Sequence, residues 1–228
     1  MRRAAAVATV AALLLLSCAD GETPARLIRF RTDDGIELAG DLRGSGPTAV
    51  VLAHMFPADR TSWSDLGSLL ARRGYRSLAL DFRGYGRSGG ERDIPEIWRD
   101  VLAAVEALRE RGARRIVLVG ASMGGTASLI AAARAEVHGV VTLSAAGTFM
   151  GLSAPPEVLQ AVDEPKLFIA AQGDGSAAAT AQTFYDTASG AKRLEIVTGA
   201  DHGTDLLEGR QGETARSLIL DFLTGLPG

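Results

Sequence analysis

The chain has 228 residues, 24 Lys and Arg against 27 Asp and Glu, and a formal net charge of −3. This length suits one domain or a small pair, and a hydrophobic content of 46% excludes a disordered chain because it supplies a buried core. The near-neutral charge without a basic run argues against nucleic acid as a partner, since phosphate binding needs clustered Lys and Arg. The single cysteine excludes an intramolecular disulfide framework and a multi-cysteine metal site.

Residues 1–17 have the pattern of a signal peptide. Arg2 and Arg3 are followed by an apolar run over residues 4–16, which is shorter than the roughly 20 residues that a bilayer-spanning helix needs. The run ends at Leu15-Leu16-Ser17-Cys18, which resembles the lipobox of bacterial lipoproteins. The resemblance implies that Cys18 becomes the first mature residue and carries a lipid on its thiol.

The same resemblance implies that residues 18–25 are the lipidated cysteine and a short polar tether. The protein would then be exported to the bacterial cell envelope and anchored to a membrane on its extracytoplasmic side. The alternative is a plain signal peptide in which a cysteine lies near the cleavage site by chance. The sequence does not say which membrane carries the anchor.

Residues 26–228 alternate apolar strands with amphipathic helices. The run TAVVLAH over residues 48–54 is typical of a strand that is buried on both faces. The predicted strands are 27–31, 36–42, 48–54, 76–82, 115–119, 137–144, 166–171 and 193–198, and the predicted helices are 62–73, 94–111, 123–135, 178–188 and 213–223. This alternation predicts one α/β domain with a parallel sheet between two layers of helices.

A candidate nucleophile lies between a strand and a helix, in the run Gly120-Ala121-Ser122-Met123-Gly124. This G-x-S-x-G pattern in a strand–turn–helix context is typical of a nucleophile elbow, where a tight turn projects the serine hydroxyl above the sheet. The turn leaves room only for glycine two residues before and two residues after the serine. The helix that follows directs its first N–H groups, including that of Met123, toward a developing oxyanion.

From about residue 27 to 224, the chain resembles the α/β-hydrolase family. The matching segments are the elbow, Ala53-His54, the loop DFRGYGRSGG at residues 81–90, and Asp201-His202-Gly203. The loop is especially similar to the serine-aminopeptidase-like and dienelactone-hydrolase-like branches. The resemblance implies an eight-stranded, mostly parallel sheet and a catalytic triad in the order serine, acid, histidine.

The triad order selects an acid and a base. Asp174 follows the strand KLFIAA at its carboxyl end, where the sites of open α/β sheets gather, and His202 follows the last predicted strand. Four other acidic residues are alternatives for the acid: Asp163, Glu164, Asp186 and Asp201. The first two precede their strand, the third is on a predicted helix, and the fourth neighbours the histidine and would point away from its ring.

The resemblance also assigns the oxyanion hole, to the backbone N–H groups of Met123 and Phe56. Met55 stands where most relatives carry glycine, so its own N–H is a possible substitute. His54 occupies the position of a structural histidine in the family, and His138 is predicted to be structural or at the surface.

Two further patterns limit the function. The G-x-G-x-x-G spacing of residues 84–89 is that of a dinucleotide-binding loop, but no helix opens directly after it, which argues against nucleotide binding. The segment 145–165, where many α/β-hydrolases insert a lid domain, is too short for one. An open site of this kind suits small or extended substrates.

These features predict a serine hydrolase, specifically a carboxylesterase that acts on a small acyl substrate through Ser122, Asp174 and His202. A peptidase or a thioesterase with the same triad is the alternative within this chemistry. The alternative of another class is a non-catalytic envelope lipoprotein that keeps the fold for binding. No metal or organic cofactor is implied, and the oligomeric state cannot be inferred.

Overall fold

The computed structural model describes residues 24–227, so the predicted signal peptide and Cys18 lie outside the described residues. The strands are β1 (Arg26–Arg31), β2 (Glu37–Arg43), β3 (Thr48–Ala53), β4 (Arg76–Leu80), β5 (Arg115–Ala121), β6 (Val140–Leu143), β7 (Thr148–Phe149), β8 (Leu152–Ser153), β9 (Lys166–Ala171) and β10 (Lys192–Val197). The helices are α1 (Ser64–Arg72), α2 (Ile97–Glu110), α3 (Met123–Ala132), α4 (Pro156–Gln160), α5 (Ala177–Thr187) and α6 (Gly212–Thr224). Short 3₁₀ turns form at Arg60–Trp63, Ile94–Glu96 and Gly203–Leu207.

Eight strands form one sheet in the order β1-β2-β4-β3-β5-β6-β9-β10. β2 pairs antiparallel with both β1 and β4, and all the other pairs are parallel. The predicted eight-stranded, mostly parallel sheet is therefore confirmed. Because β3, β5, β6, β9 and β10 run in the same direction, the residues that follow their carboxyl ends meet at one edge of the sheet.

Helices cover both faces of this sheet. Val50 and Leu52 of β3 pack in one core cluster with residues of α1 and α6, whereas Val51 and Ala53 pack on the opposite face with residues of α2 and α3. Burial on both faces explains why the sequence of β3 is continuously apolar instead of alternating. Among the described residues, no helix has both the length and the apolar character to cross a membrane.

The segment between β6 and β9 folds as a small hairpin and one short helix. β7 and β8 pair antiparallel through a turn at Met150 and Gly151, which both have positive φ angles, of 47° and 88°. Positive φ at both central residues is the signature of a tight hairpin turn. The sequence did not reveal these strands, because two residues carry no alternating pattern.

The loop that follows β4 is built around a buried carboxylate. Asp81 is fully buried and accepts hydrogen bonds from Arg60 N at 2.9 Å, Arg60 Nη1 at 2.6 Å and Arg87 N at 2.7 Å. A Cβ atom at Gly86 would lie 2.2 Å from Asp81 Oδ2, so only glycine fits there. The glycine spacing of this loop therefore lets the backbone wrap around an internal carboxylate.

Candidate active site

Ser122 stands on a strained turn between β5 and α3. Its φ and ψ angles are 49° and −117°, a conformation that residues other than glycine rarely adopt. A Cβ atom at Gly120 would lie 2.3 Å from Gly124 O, and one at Gly124 would lie 2.3 Å from Ala53 O. The backbone around Ser122 is thus packed too closely for any side chain at these two positions, which is the geometry that the G-x-S-x-G pattern predicts.

The structure joins Asp174 and His202. His202 Nδ1 lies 2.9 Å from both Asp174 Oδ1 and Oδ2. The Asp174 side chain is 11% exposed, whereas that of His202 is 43% exposed. With Nδ1–H donated to the carboxylate, Nε2 of the imidazole is left to accept a proton, as a general base requires.

The four alternative acids lie elsewhere. Asp163 and Glu164 precede β9 and are at the opposite edge of the sheet. Asp186 is on α5 and accepts a hydrogen bond from Gln182, and the Asp201 carboxylate lies against Gly209. Among the described carboxylates, that of Asp174 alone is hydrogen-bonded to His202.

A single open cavity of about 410 Å³ brings Ser122, Asp174 and His202 together. One wall is aromatic, because the rings of Phe56 and Phe149 approach to 5.5 Å between centroids. Most of the remaining lining consists of small or hydroxyl side chains: Ser144, Ala145, Ala146, Thr148, Ser176, Ala177 and Thr180. The charged or titratable groups of the lining are thus confined to the Asp174–His202 pair.

The predicted oxyanion donors flank this cavity. Met123 is the first residue of α3, and an N–H at that position has no acceptor within its own helix. Phe56 lines the cavity, whereas Met55 packs toward the loop of the base: a Cβ atom at Gly203 would lie 2.5 Å from Met55 Sδ. The methionine that replaces the usual glycine therefore contacts the residue next to His202.

His54 is fully buried and links two loops. Its Nδ1 lies 2.9 Å from Met55 O, and its Nε2 accepts a hydrogen bond from Phe82 N at 3.2 Å. Burial lowers the pKa of His54 to about 4, so the ring is neutral at pH 7 and serves as both donor and acceptor. His138 accepts a hydrogen bond from Ile116 N at the start of β5, away from the cavity.

Sequence reasoning missed Ser144, which follows β6 and lines the cavity. It is fully buried, has a φ angle of 50°, and its hydroxyl has no hydrogen-bond partner. No motif marks this residue, and its only signal is its position at the carboxyl end of a parallel strand. Within residues 24–227, no group of three His, Cys, Asp or Glu side chains converges as a metal site.

The fold and the site define a protein of the hydrolase class with a serine at its elbow. Residues 48–184, which are more than half of the chain, match the family model of the alpha/beta hydrolase fold. The chain belongs to the α/β-hydrolase family.

Curated relatives share parts of this chain. It is 30% identical over 181 residues to protein ABHD14A of Danio rerio, a match that covers 78% of the chain and 64% of that protein. It is 39% identical over 93 residues to bifunctional epoxide hydrolase 2 of Sus scrofa, covering 40% of the chain and 17% of that enzyme. The chain therefore spans less than two thirds of the length of either relative, and only 17% of the epoxide hydrolase.

Among solved structures, an esterase of Pyrococcus furiosus is similar, with a TM-score of 0.77 and 18% sequence identity. The match covers 90% of this chain and 92% of that chain. At this identity, the likeness shows the shared fold.

Proposed function

We propose that this protein is a serine hydrolase that cleaves carboxylic esters through Ser122, Asp174 and His202. The observation that carries the proposal is the pair of 2.9 Å contacts between His202 Nδ1 and the Asp174 carboxylate, in the cavity that Ser122 also lines. The three residues follow β5, β9 and β10, so three separate strands deliver them to one edge of the sheet. A serine, an acid and a histidine base, in this order along the chain, are the components of nucleophilic acyl transfer.

The chemistry follows from these positions. Ser122 Oγ attacks the carbonyl carbon of the ester while His202 Nε2 accepts its proton, and Asp174 stabilises the imidazolium that results. The N–H groups of Met123 and Phe56 hold the oxyanion of the tetrahedral intermediate, with Met55 N–H as the alternative second donor. His202 then protonates the departing alcohol, and a water molecule that it deprotonates releases the acyl group from Ser122.

An ester is favoured over a peptide by the lining of the cavity. Apart from Asp174 and His202, the lining residues are uncharged, so the cavity offers no fixed charge to hold the terminus of a peptide. The aromatic wall of Phe56 and Phe149 instead suits an apolar acyl group. Amide or thioester cleavage with the same three residues is the alternative function.

A fluorophosphonate probe tests the proposal, because it reacts with an activated serine whatever the natural substrate. We expect covalent labelling of the wild type and none of Ser122→Ala, with Ser88→Ala, a serine outside the cavity, as the labelled control. Matched ester, thioester and aminoacyl amide substrates then identify the leaving group. Absence of wild-type labelling, or equal labelling of Ser122→Ala, would indicate a non-catalytic binding protein instead.

We further propose that the protein is exported and lipid-anchored at Cys18. The support is the position of the only cysteine of the chain directly after a basic start and a short apolar run. Mass spectrometry of membrane-extracted protein should find Cys18 as a lipid-modified N-terminus, and Cys18→Ala should leave the membrane fraction. A mature chain that begins at another residue would contradict the anchor.

A further inference from the structure

Ser144 presents a hydroxyl group whose burial the fold does not explain. Its backbone is strained, with a φ angle of 50°, and its side chain is fully shielded from solvent. Its Oγ atom has no hydrogen-bond partner. Burying an unpaired hydroxyl is unfavourable, and a strained φ angle adds to that cost. An alanine or glycine would avoid the unpaired group, so the hydroxyl is expected to have a partner in another state of the protein.

Among the described residues, His202 alone donates a side-chain hydrogen bond to the Asp174 carboxylate in the same cavity. His202 Nδ1 is the hydrogen-bond partner of both of its oxygens, although two carboxylate oxygens accept about four hydrogen bonds. Because Nδ1 is equally distant from the two oxygens, this contact does not fix which of them faces the imidazole. Ser144, whose buried hydroxyl is unpaired, and Asp174, whose carboxylate has spare acceptor capacity, thus both belong to the lining of one cavity.

The sheet places these two groups on adjacent strands. Leu143 at the end of β6 pairs with Ile169 of β9, and Ser144 N donates to Ile169 O at 2.8 Å. Beyond β9 the chain turns back, since Asp174 N donates to Ala171 O at 3.1 Å. Asp174 is therefore held over the end of the strand that neighbours Ser144.

We propose that Ser144 is a positioning residue for the triad, whose hydroxyl turns about χ1 and donates a hydrogen bond to the Asp174 carboxylate when substrate occupies the cavity. This inference rests on the proposed serine hydrolase function. The bond fixes one carboxylate oxygen for His202 Nδ1 and leaves the other for Ser144. Catalytic hydrogen bonds commonly tighten only in the substrate complex, which is consistent with the unpaired hydroxyl of Ser144.

The test compares Ser144→Ala with Ser68→Ala. Ser68 is a matched control because its hydroxyl is also buried and unpaired, but it lies on α1, away from the cavity. We expect Ser144→Ala to lower kcat/KM about tenfold, the loss that follows from removing a hydrogen bond to a charged group. Without the hydroxyl of Ser144 as a second donor, the Asp174 carboxylate should hold the imidazolium proton of His202 more tightly. The acid limb of the pH profile of Ser144→Ala should therefore move to higher pH. Ser68→Ala should change neither quantity.

Ser144→Gly separates positioning from folding. Glycine adopts a φ angle of 50° without strain, so this variant should be at least as stable as the wild type and should still lose about tenfold in kcat/KM. In an Asp174→Asn background, Ser144→Ala should have no further effect on kcat/KM if the two groups act together. Unchanged activity and pH profile in both Ser144 variants, or independent effects of the two substitutions, would overturn the inference. Fluorophosphonate labelling of Ser122, measured in the wild type and in all variants, distinguishes a failure of this inference from a failure of the proposed function. If the wild type is not labelled, the proposed serine hydrolase function itself is overturned.

Discussion

The cavity around Ser122 and the loop after β4 differ in how the fold satisfies their carboxylates. Asp81 in the loop accepts three hydrogen bonds, two of them from Arg60, and Arg83 of the loop donates to Asp100 of α2 through both N and Nε at 2.8 Å. Asp174 in the cavity has His202 as its partner. The loop satisfies its carboxylates within the fold, whereas the cavity leaves acceptor capacity, an unpaired hydroxyl and a strained serine in place.

The difference indicates which region stabilises the fold and which region is left to interact with substrate. A buried carboxylate with several donors holds the loop in one conformation, and breaking such a pair is strongly destabilising. A catalytic site instead keeps groups partly unsatisfied so that substrate and transition state can complete them. The same substitution of aspartate by asparagine should therefore act on activity in one region and on stability in the other.

Asp174→Asn should have the largest effect of all, on activity. An amide cannot hold the imidazole in the required tautomer or stabilise the imidazolium, so kcat should fall about 10⁴-fold. Because the carboxylate makes its side-chain contacts with His202, the free energy of unfolding should change by no more than about 1 kcal/mol. Ester kinetics and denaturant unfolding on the same preparation measure both values, and a large loss of stability would contradict the distinction between the regions.

Asp81→Asn should show the reverse pattern. Removing the charge leaves Arg60 with Asp41, at 3.0 Å, as its remaining carboxylate partner. We expect the free energy of unfolding to fall by roughly 3–5 kcal/mol. Activity per folded molecule, measured by active-site titration with the fluorophosphonate, should stay within about threefold of the wild type, because no atom of Asp81 lines the cavity. A kcat loss comparable to that of Asp174→Asn would show that the loop takes part in the chemistry.

His54 joins the two regions and should make stability depend on pH. Its folded pKa of about 4 is below its ordinary value of 6.5, so between these values the unfolded chain binds a proton that the folded chain excludes. The neutral His54 ring therefore contributes roughly 3 kcal/mol to the free energy of unfolding. This contribution is fully present above pH 6.5 and is lost as the pH falls toward 4. His54→Gln should reduce the fall in unfolding free energy over this range by that amount. Parallel curves for the two proteins would show that the histidine is not the proton-linked group.

The sequence predicted those parts of the molecule that leave a periodic or spaced pattern. The buried strands are visible as apolar runs, and the elbow is visible because Gly120 and Gly124 are each required by a close backbone contact. The hairpin of β7 and β8 and the hydroxyl of Ser144 leave no such pattern. In the folded sheet, β6 lies between β5 and β9, and this strand order brings both of them to the site. The residues 84–89 show the reverse case, since their glycine spacing matched a nucleotide motif but serves the backbone around Asp81.

The smallest predicted effect concerns the hairpin wall of the cavity. Phe149 is half-buried there and its ring lies tilted against that of Phe56, so it should contact the acyl chain of the substrate beyond its first carbons. Burying one methylene of the acyl chain against the ring stabilises the complex by about 0.8 kcal/mol. With contact to about one methylene lost, Phe149→Ala should lower kcat/KM for p-nitrophenyl hexanoate about fourfold more than for the acetate.

Met150→Ala is the matched control for this wall, because Met150 is in the same hairpin turn but is 65% exposed and does not line the cavity. It should leave the ratio of hexanoate to acetate cleavage unchanged. An equal loss for both esters in Phe149→Ala would mean that the hairpin supports the fold of the site without contacting the acyl chain. Both variants alter the same hairpin. Chain-length selectivity is therefore assigned to the aromatic wall only if the change is confined to Phe149→Ala and to the longer ester.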